Sequence, residues 1–395
     1  MNVKTATSEK VSSFADTILD QGSDISSKLD MLRQVKFPPN AQKTLRQFSL
    51  AEVAEFVGVS QSYLKKLHLQ GKGVEPTTTS TGRRYYTASQ IDELRALLDR
   101  VPRRQAHEKL QVIAVVNFKG GSGKTTTSAH LAQYLALRGF RTLAVDLDPQ
   151  ASLTALYGIQ PELDNKPSFY ESLRYDENRK SIVDIIQPTN FPNLDVVPAN
   201  LELQEYEYET PIAMQRKDSS AGKLFYTRIG QALEEVDDRY DVVVVDCPPQ
   251  LGYLTLTALT AATSVLITVH PQMLDIMSMS QFLLMLGDIL KSVEQVGVNV
   301  SLDWFRYLIT RYEPTDIPQQ QMVGFMQSMF AQQMMKNHMV KSTAVSDAGL
   351  TKQSLYEVEK SQFTASTYDR ARESMDAVNA EVVDLMNAAW GRRNG

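Results

Sequence analysis

From Gln111 onward, short apolar runs alternate with stretches of helical character. The runs VIAVVNF, RTLAVDLD, LDVVPA, YDVVVVDCP, SVLITVH and FRYLITRY begin at residues 112, 141, 194, 240, 264 and 305. Unbroken Val, Ile and Leu over such lengths suit strands covered on both faces, as in a parallel sheet. With helices between them, they predict an α/β fold with a doubly wound, mostly parallel sheet. The chain from Phe48 reads differently. In FSLAEVAEFVGVSQSYLKKLHL, Ser49 can cap a helix with Glu52 three residues on, and Leu50, Val53, Ala54 and Val57 share one face. Gly58 supplies a turn, Ser60 caps again, and Tyr63, Leu64 and Leu67 continue a second helix, which is helix-turn-helix spacing. The segment PTTTSTGRRYYTASQIDELRALLDRV predicts a two-stranded wing around Gly82, then a helix opened at Thr87 or Ser89. Ahead of both, Val11, Phe14, Ile18, Ile25, Leu29 and Leu32 recur near helical spacing until KFPPN breaks the pattern. This predicts a helical arm at 1–40, either packed on a partner subunit or a loosely held helix.

Charge sharpens the division. The net charge of the 395 residues is -5, yet 43–104 carry eleven Lys/Arg against six acids. Glu162 to Glu209 is acidic. A basic front third suits phosphate, and the acidic middle does not. The lone Cys247 excludes a disulfide framework and fits a reducing cytosol. No secretory signal is read at the N-terminus. The longest charge-free stretch, Leu251 to Leu274, is broken by threonines, His270 and Pro271, so a helix running into a buried strand is expected rather than a membrane span. The five histidines make no metal-ligand spacing, and no zinc is expected.

The most specific motif follows the first of the apolar runs. Lys119-Gly120-Gly121-Ser122-Gly123-Lys124-Thr125-Thr126 stands between that strand and a helix. Glycines let backbone N–H groups curl around phosphate, and the helix N-terminus adds positive potential. Lys124 would meet the β- and γ-phosphates of ATP, and the Thr125 hydroxyl would ligate Mg²⁺. Phe118 stands where the ordinary pattern has glycine. Two acids lie at strand ends, where doubly wound sheets bind ligands: Asp146-Leu147-Asp148-Pro149-Gln150, and Asp246 before Cys247-Pro248-Pro249. Asp246 fits the role of holding Mg²⁺, directly or through water. Cys247 reads as a small core residue, and the methionines of 273–285 and 322–339 read as packing, or as dimer contact.

The KGGxGKTT form resembles the deviant phosphate loop of the ParA/MinD ATPases, over about Gln111 to the end. The resemblance implies that Lys119 reaches across a homodimer to the partner's nucleotide, making hydrolysis depend on dimerisation. It implies that Asp148 positions the attacking water and that Asp146 lies close to the metal. The related iron-protein reductases are excluded, because no cysteine pair exists to bridge a cluster. Thr310, Arg311 and Pro314 are the guess for base contacts.

Gly82-Arg83-Arg84-Tyr85-Tyr86 after a helix-turn-helix resembles MerR-type winged modules. Together with SYLKKLHLQGKG and the C-terminal LYEVEKSQFTASTYDRARESMDAVNAEVVDLM, it resembles the RepA partition ATPases of repABC replicons over roughly 40–392. That family implies ATP-driven segregation of a low-copy plasmid or secondary chromosome, repression of the replicon's own operon, and a centromere-binding partner of the RepB/ParB type. The expected organisation is an arm at 1–40, a winged helix-turn-helix module at 41–104 and an ATPase domain at 105–395. In the front module, Ser60, Gln61, Ser62, Tyr63, Lys65 and Lys66 open the second helix, where side chains reach base edges. Arg83 and Arg84 suit phosphate or minor-groove contacts. The resemblance also implies non-specific DNA binding by the C-terminal half, with Lys336, Lys341, Lys352, Arg370 and Arg372 as candidates. The expected location is cytoplasmic, on the nucleoid. Two rivals stand beside this reading. A MinD-like membrane ATPase would need a basic amphipathic tail, which NAEVVDLMNAAWGRRNG hardly supplies. The other is a repressor for which nucleotide is a regulatory ligand only.

Overall fold

All six apolar runs become strands of one sheet in the computed structural model, which describes residues 13–36, 43–117, 119–160, 166–215, 224–295, 297 and 300–392. They are β4 (Gln111–Val116), β5 (Thr142–Asp146), β7 (Leu194–Val197), β8 (Val242–Asp246), β9 (Ser264–Val269) and β10 (Trp304–Ile309), and they run parallel. A short edge strand, β6 (Gln187–Pro188), pairs antiparallel with β7 and completes the order β10-β9-β4-β8-β5-β7-β6. Its two residues carry no apolar run, so the sequence pattern misses it. β4, β8 and β9 are buried at every position, as continuous Val and Ile require of strands sandwiched by helices.

The helix-turn-helix forms as its caps predict. β1 (Phe48–Ser49) leads into α2 (Leu50–Val57), where Ser49 and Glu52 make a reciprocal capping box. Gly58 closes α2 in the left-handed region at φ 73°, which a side chain would resist, and Ser60 caps α3 (Gln61–Leu69). β2 (Thr77–Thr78) and β3 (Arg84–Tyr86) form the wing, and β1 adds a third strand against β3. Thr87, rather than Ser89, caps α4 (Ala88–Leu97), with Gln90 completing the box.

The chain divides into two compact units, Met1–Lys43 and Thr44–Gly395. The first contributes α1 (Phe14–Lys36), on which Phe14, Ile18 and Ile25 are exposed. Val11 and the Pro-Pro break lie outside the described residues. In the second unit one apolar core runs from Phe48, Phe56 and Ile91 of the winged module to Tyr356, Val378 and Val382 near the C-terminus. Polar contacts reinforce it. Arg46 Nε donates to the Tyr356 carbonyl at 3.0 Å, and its guanidinium pairs with Glu52. Arg138 Nη1 donates to the Glu55 carbonyl at 3.0 Å.

Three helices frame the sheet's carboxyl edge. α5 (Lys124–Leu137) is buried almost all round, packed on β8 and β5 and against α7 (Ala365–Ala389). α6 (Met273–Gln295) is long and apolar enough to cross a membrane, but Ile276, Met279, Phe282 and Leu286 pack into the core beside β9. The charge-free stretch before it resolves into a helix, Tyr253–Ala261, followed by β9.

Candidate functional site

β4 ends at Val116 in the middle of the sheet, and α5 begins at Lys124, so the glycine loop crosses the sheet's carboxyl edge between β8 and β9. Gly121 and Gly123 sit at φ 77° and 87°. At Gly123 a Cβ would also stand 3.4 Å from Thr310, so both conformation and space favour glycine. The neighbouring strands pin the loop. Thr268 Oγ1 donates to Ser122 Oγ at 3.1 Å, and Thr310 Oγ1 donates to the Ser122 carbonyl at 2.7 Å. Arg311 Nη1 donates to the Gly121 carbonyl at 3.0 Å. The N-cap of α5 is Gly123, which offers no side chain to its first-turn N–H groups. Fixed N–H groups with a helix N-terminus behind them form an anion cradle. Phe118 lies outside the described residues.

Lys124 is buried, and burial pulls its ammonium below the usual lysine value while Asp246 pulls the other way. β5 and β8 pair in register so that Asp146 stands beside Asp246, both fully buried. Burial pushes both carboxyls well above the ordinary range, and for Asp146 the neighbouring Asp246 adds to the rise.

Their hydrogen bonds separate their roles. Asp146 accepts from the Asp148 N–H at 3.1 Å and from the Thr154 N–H and hydroxyl at 2.8 and 2.7 Å. Both its oxygens are thus engaged, Oδ1 with the turn that carries Asp148 and Oδ2 with Thr154 in the helix that follows. Asp246 accepts from Ser128 through Oδ1 at 3.1 Å, while its buried Oδ2 has no hydrogen-bond partner among the described residues. A buried carboxyl with the Thr125 hydroxyl and the Lys124 ammonium beside it fits a cation.

A cleft of about 460 Å³ opens above these groups. Gly120, Gly121 and Gly123 to Thr127 form one wall, and Asp148 and Ser152 face it. Of the three residues read as base contacts, Thr310 and Arg311 line the cleft, whereas Pro314 stands apart and its carbonyl accepts from Gln320. Sequence reasoning missed the apolar wall of Met339, Val340, Val345 and Met375. Met339 belongs to the methionine tract read as packing, and no local pattern distinguishes a methionine that borders a cleft from one that fills a core. Lys341 also borders the cleft and pairs with Glu313 at 2.8 Å.

Comparison with known proteins bears on this arrangement. The AAA domain family matches residues 110–299, and the MerR HTH family regulatory protein family matches 48–98. A chain of Sinorhizobium fredii carrying the name replication protein A is 69% identical over 389 residues, covering 96% of each chain. A solved structure described as a partition protein shares the fold at 18% identity and TM-score 0.61, covering 95% of this chain and 99% of that one. The cobyrinic acid a,c-diamide synthase of Mycobacterium smegmatis, solved with an ATP analogue and magnesium, is 29% identical at TM-score 0.50, over 61% of this chain and 94% of that one. The chain belongs to the ParA family of partition ATPases, in its RepA branch.

In this RepA-type ParA protein the DNA-reading candidates are displayed on one module. Gln61, Ser62, Tyr63, Lys65 and Lys66 are exposed along α3, while Leu64 anchors the helix in the core. The Ser60 hydroxyl accepts from the Tyr63 N–H, so the helix cap uses it. Arg83 is exposed at the wing tip and Arg84 is half-buried. The C-terminal cations of the ParA chain separate. Lys336 and Arg370 are exposed, Arg370 reaching the Lys341 carbonyl at 3.5 Å, and Lys352 is half-buried. Arg372 is buried, paired with Asp376 at 2.8 Å and Glu52 at 3.6 Å and stacked over Tyr356, so it faces the interior and not DNA. The lysine that opens the loop, Lys119, is paired with Asp275 at 2.7 Å.

Proposed function

We propose that this chain binds ATP with Mg²⁺ in the cleft above β4, β5 and β8, and hydrolyses it to segregate a low-copy replicon together with a centromere-binding partner of the RepB/ParB type. The observation that carries the reading is that buried Lys124, at the N-terminus of α5, lies beside the buried Asp246 carboxyl, whose Oδ2 has no hydrogen-bond partner among the described residues. In this reading Thr125 and Asp246 hold Mg²⁺, which when bound offsets phosphate charge. Asp146 acts through the turn it braces and need not touch the metal. Lys124 and the loop N–H groups hold the phosphates in place, which is most of what phosphoryl transfer asks of a protein. Asp148 orients the attacking water at the cleft's mouth. Lys119 acts from the partner subunit of a homodimer, so that hydrolysis follows pairing.

The winged module reads an operator through α3 and the wing and represses the chain's own operon, while the exposed Lys336 and Arg370 favour non-specific contact with chromosomal DNA. Nucleoid association in the cytoplasm follows from that contact. The test is a turnover assay of the purified chain with and without DNA and partner, beside operator footprinting in ADP, ATP or no nucleotide. Slow, stimulated turnover with nucleotide-dependent footprints is the expected result. Absence of turnover with footprints intact would leave only the nucleotide-liganded repressor.

A further inference from the structure

Lys119 is held within its own subunit. Its N–H donates to Asn117 Oδ1 at 2.9 Å, and its carbonyl faces Lys124 Nζ at 3.4 Å, so the backbone is fixed at the mouth of the loop. Its ammonium lies 2.7 Å from Asp275 Oδ1. Asp275 is buried in the first turn of α6, where the helix N-terminus favours a carboxylate. Its other oxygen, Oδ2, receives no hydrogen bond among the described residues, and His270 Nδ1 stands 3.7 Å away. The ammonium is thus the one strong partner of that carboxylate among the described residues, and it remains partly open to solvent.

We infer that Asp275 is a positioning residue for Lys119: it holds the ammonium in the lysine's own subunit and so sets how readily the lysine crosses to a partner's nucleotide. This rests on the proposal that Lys119 acts across a dimer. One ammonium serves Asp275 or the phosphates of a second copy, not both. Engagement across the dimer therefore draws only on the fraction of chains in which the pair has opened. A binding-competent state that is fractionally populated weakens the apparent affinity by that fraction. The cost falls on dimerisation and not on the chain's own phosphate cradle, because Asp275 is no part of the cleft wall.

The experiment is sedimentation velocity of the full chain with Mg²⁺ and a non-hydrolysable ATP analogue, as a function of chain concentration. Asp275→Asn should tighten the nucleotide-dependent dimer by about three- to fivefold, the scale of a partly exposed ion pair. Asp275→Glu, which keeps the charge, should stay within about twofold of the wild type. In a Lys119→Ala background Asp275→Asn should give no gain, an outcome that a merely structural aspartate would not produce. A dimer of wild-type strength or weaker in Asp275→Asn, or a gain that survives without Lys119, overturns the inference. A wild-type chain that stays single-chain-sized with bound analogue overturns the dimer reading beneath it instead, and the inference falls with it.

Discussion

Arg95, on the last helix of the winged module, donates to the carbonyl of Leu137, the last residue of the helix that opens at the phosphate loop. The same guanidinium reaches the Phe56 carbonyl at 3.4 Å and pairs with Asp92 at 2.6 Å. Burial draws Arg95 down to about 10, still charged at neutral pH. Three separate elements, α2, α4 and α5, are therefore tied through one cation.

Arg95→Ala should lower stability by about 3 kcal/mol, because buried carbonyls lose their donor and a cavity remains. Gly139→Ala should also destabilise, since φ is +96° there and the added carbon would lie 2.9 Å from Arg95 Cδ. Urea unfolding of both variants checks this, and a loss under about 1 kcal/mol for Arg95→Ala would show that the tie is incidental.

A second prediction concerns acid. His130 is buried on α5, its ring bonded to the Thr126 carbonyl and accepting from the Leu355 N–H. Burial pulls it down from 6.5 to about 4. The unfolded chain therefore takes up this proton first as pH falls. The stability tied to the neutral ring is complete above pH 6.5 and lost on the way to about pH 4. That shift corresponds to about 3 kcal/mol. Urea midpoints at pH 7 and pH 5 should differ more for the wild type than for His130→Gln, and equal differences would remove the histidine as the cause.

Nucleotide binding gives a third. Lys124→Ala should weaken binding of a fluorescent ATP analogue by about a hundredfold, the scale of losing a charge-assisted contact in a low-dielectric site. Asp246→Asn should instead reduce the gain that Mg²⁺ brings, with smaller loss in its absence. Titrations with Mg²⁺ and with a chelator separate the two, and an undiminished Mg²⁺ effect in Asp246→Asn would move the cation elsewhere.

A fourth concerns the wing. Arg83→Ala should weaken operator binding by about tenfold and lower the slope of affinity against salt by about one. Basal turnover should stay as it was, since the wing tip lies outside the cleft. An unchanged salt slope would place Arg83 off the phosphate backbone.

What the sequence made legible was local. The caps at Ser49, Ser60 and Thr87, the glycines at 121 and 123, and six apolar runs each declare themselves within a few residues, because backbone geometry and strand burial act at that range. What stayed hidden depends on distant segments meeting. Arg372 looks like any surface cation in DRARES until Glu52, over three hundred residues earlier, is found beside it. Met339 and Met375 share a cleft wall that neither stretch hints at alone. Asp275 reads as an ordinary first-turn acid until Lys119 is seen on it. The edge strand β6 forms because Gln187 and Pro188 fall opposite Val196 and Asp195, a matter of register rather than of apolar pattern.

The core that continues from Phe48 to Val382 has a consequence for reading DNA. In the proposed dimer, a module fused this way would have no swivel, so the contact between the two copies would also dictate the span and twist between their recognition helices. Such a reader measures as well as recognises: half-sites moved apart by half a helical turn would present the right bases on the wrong side of the duplex.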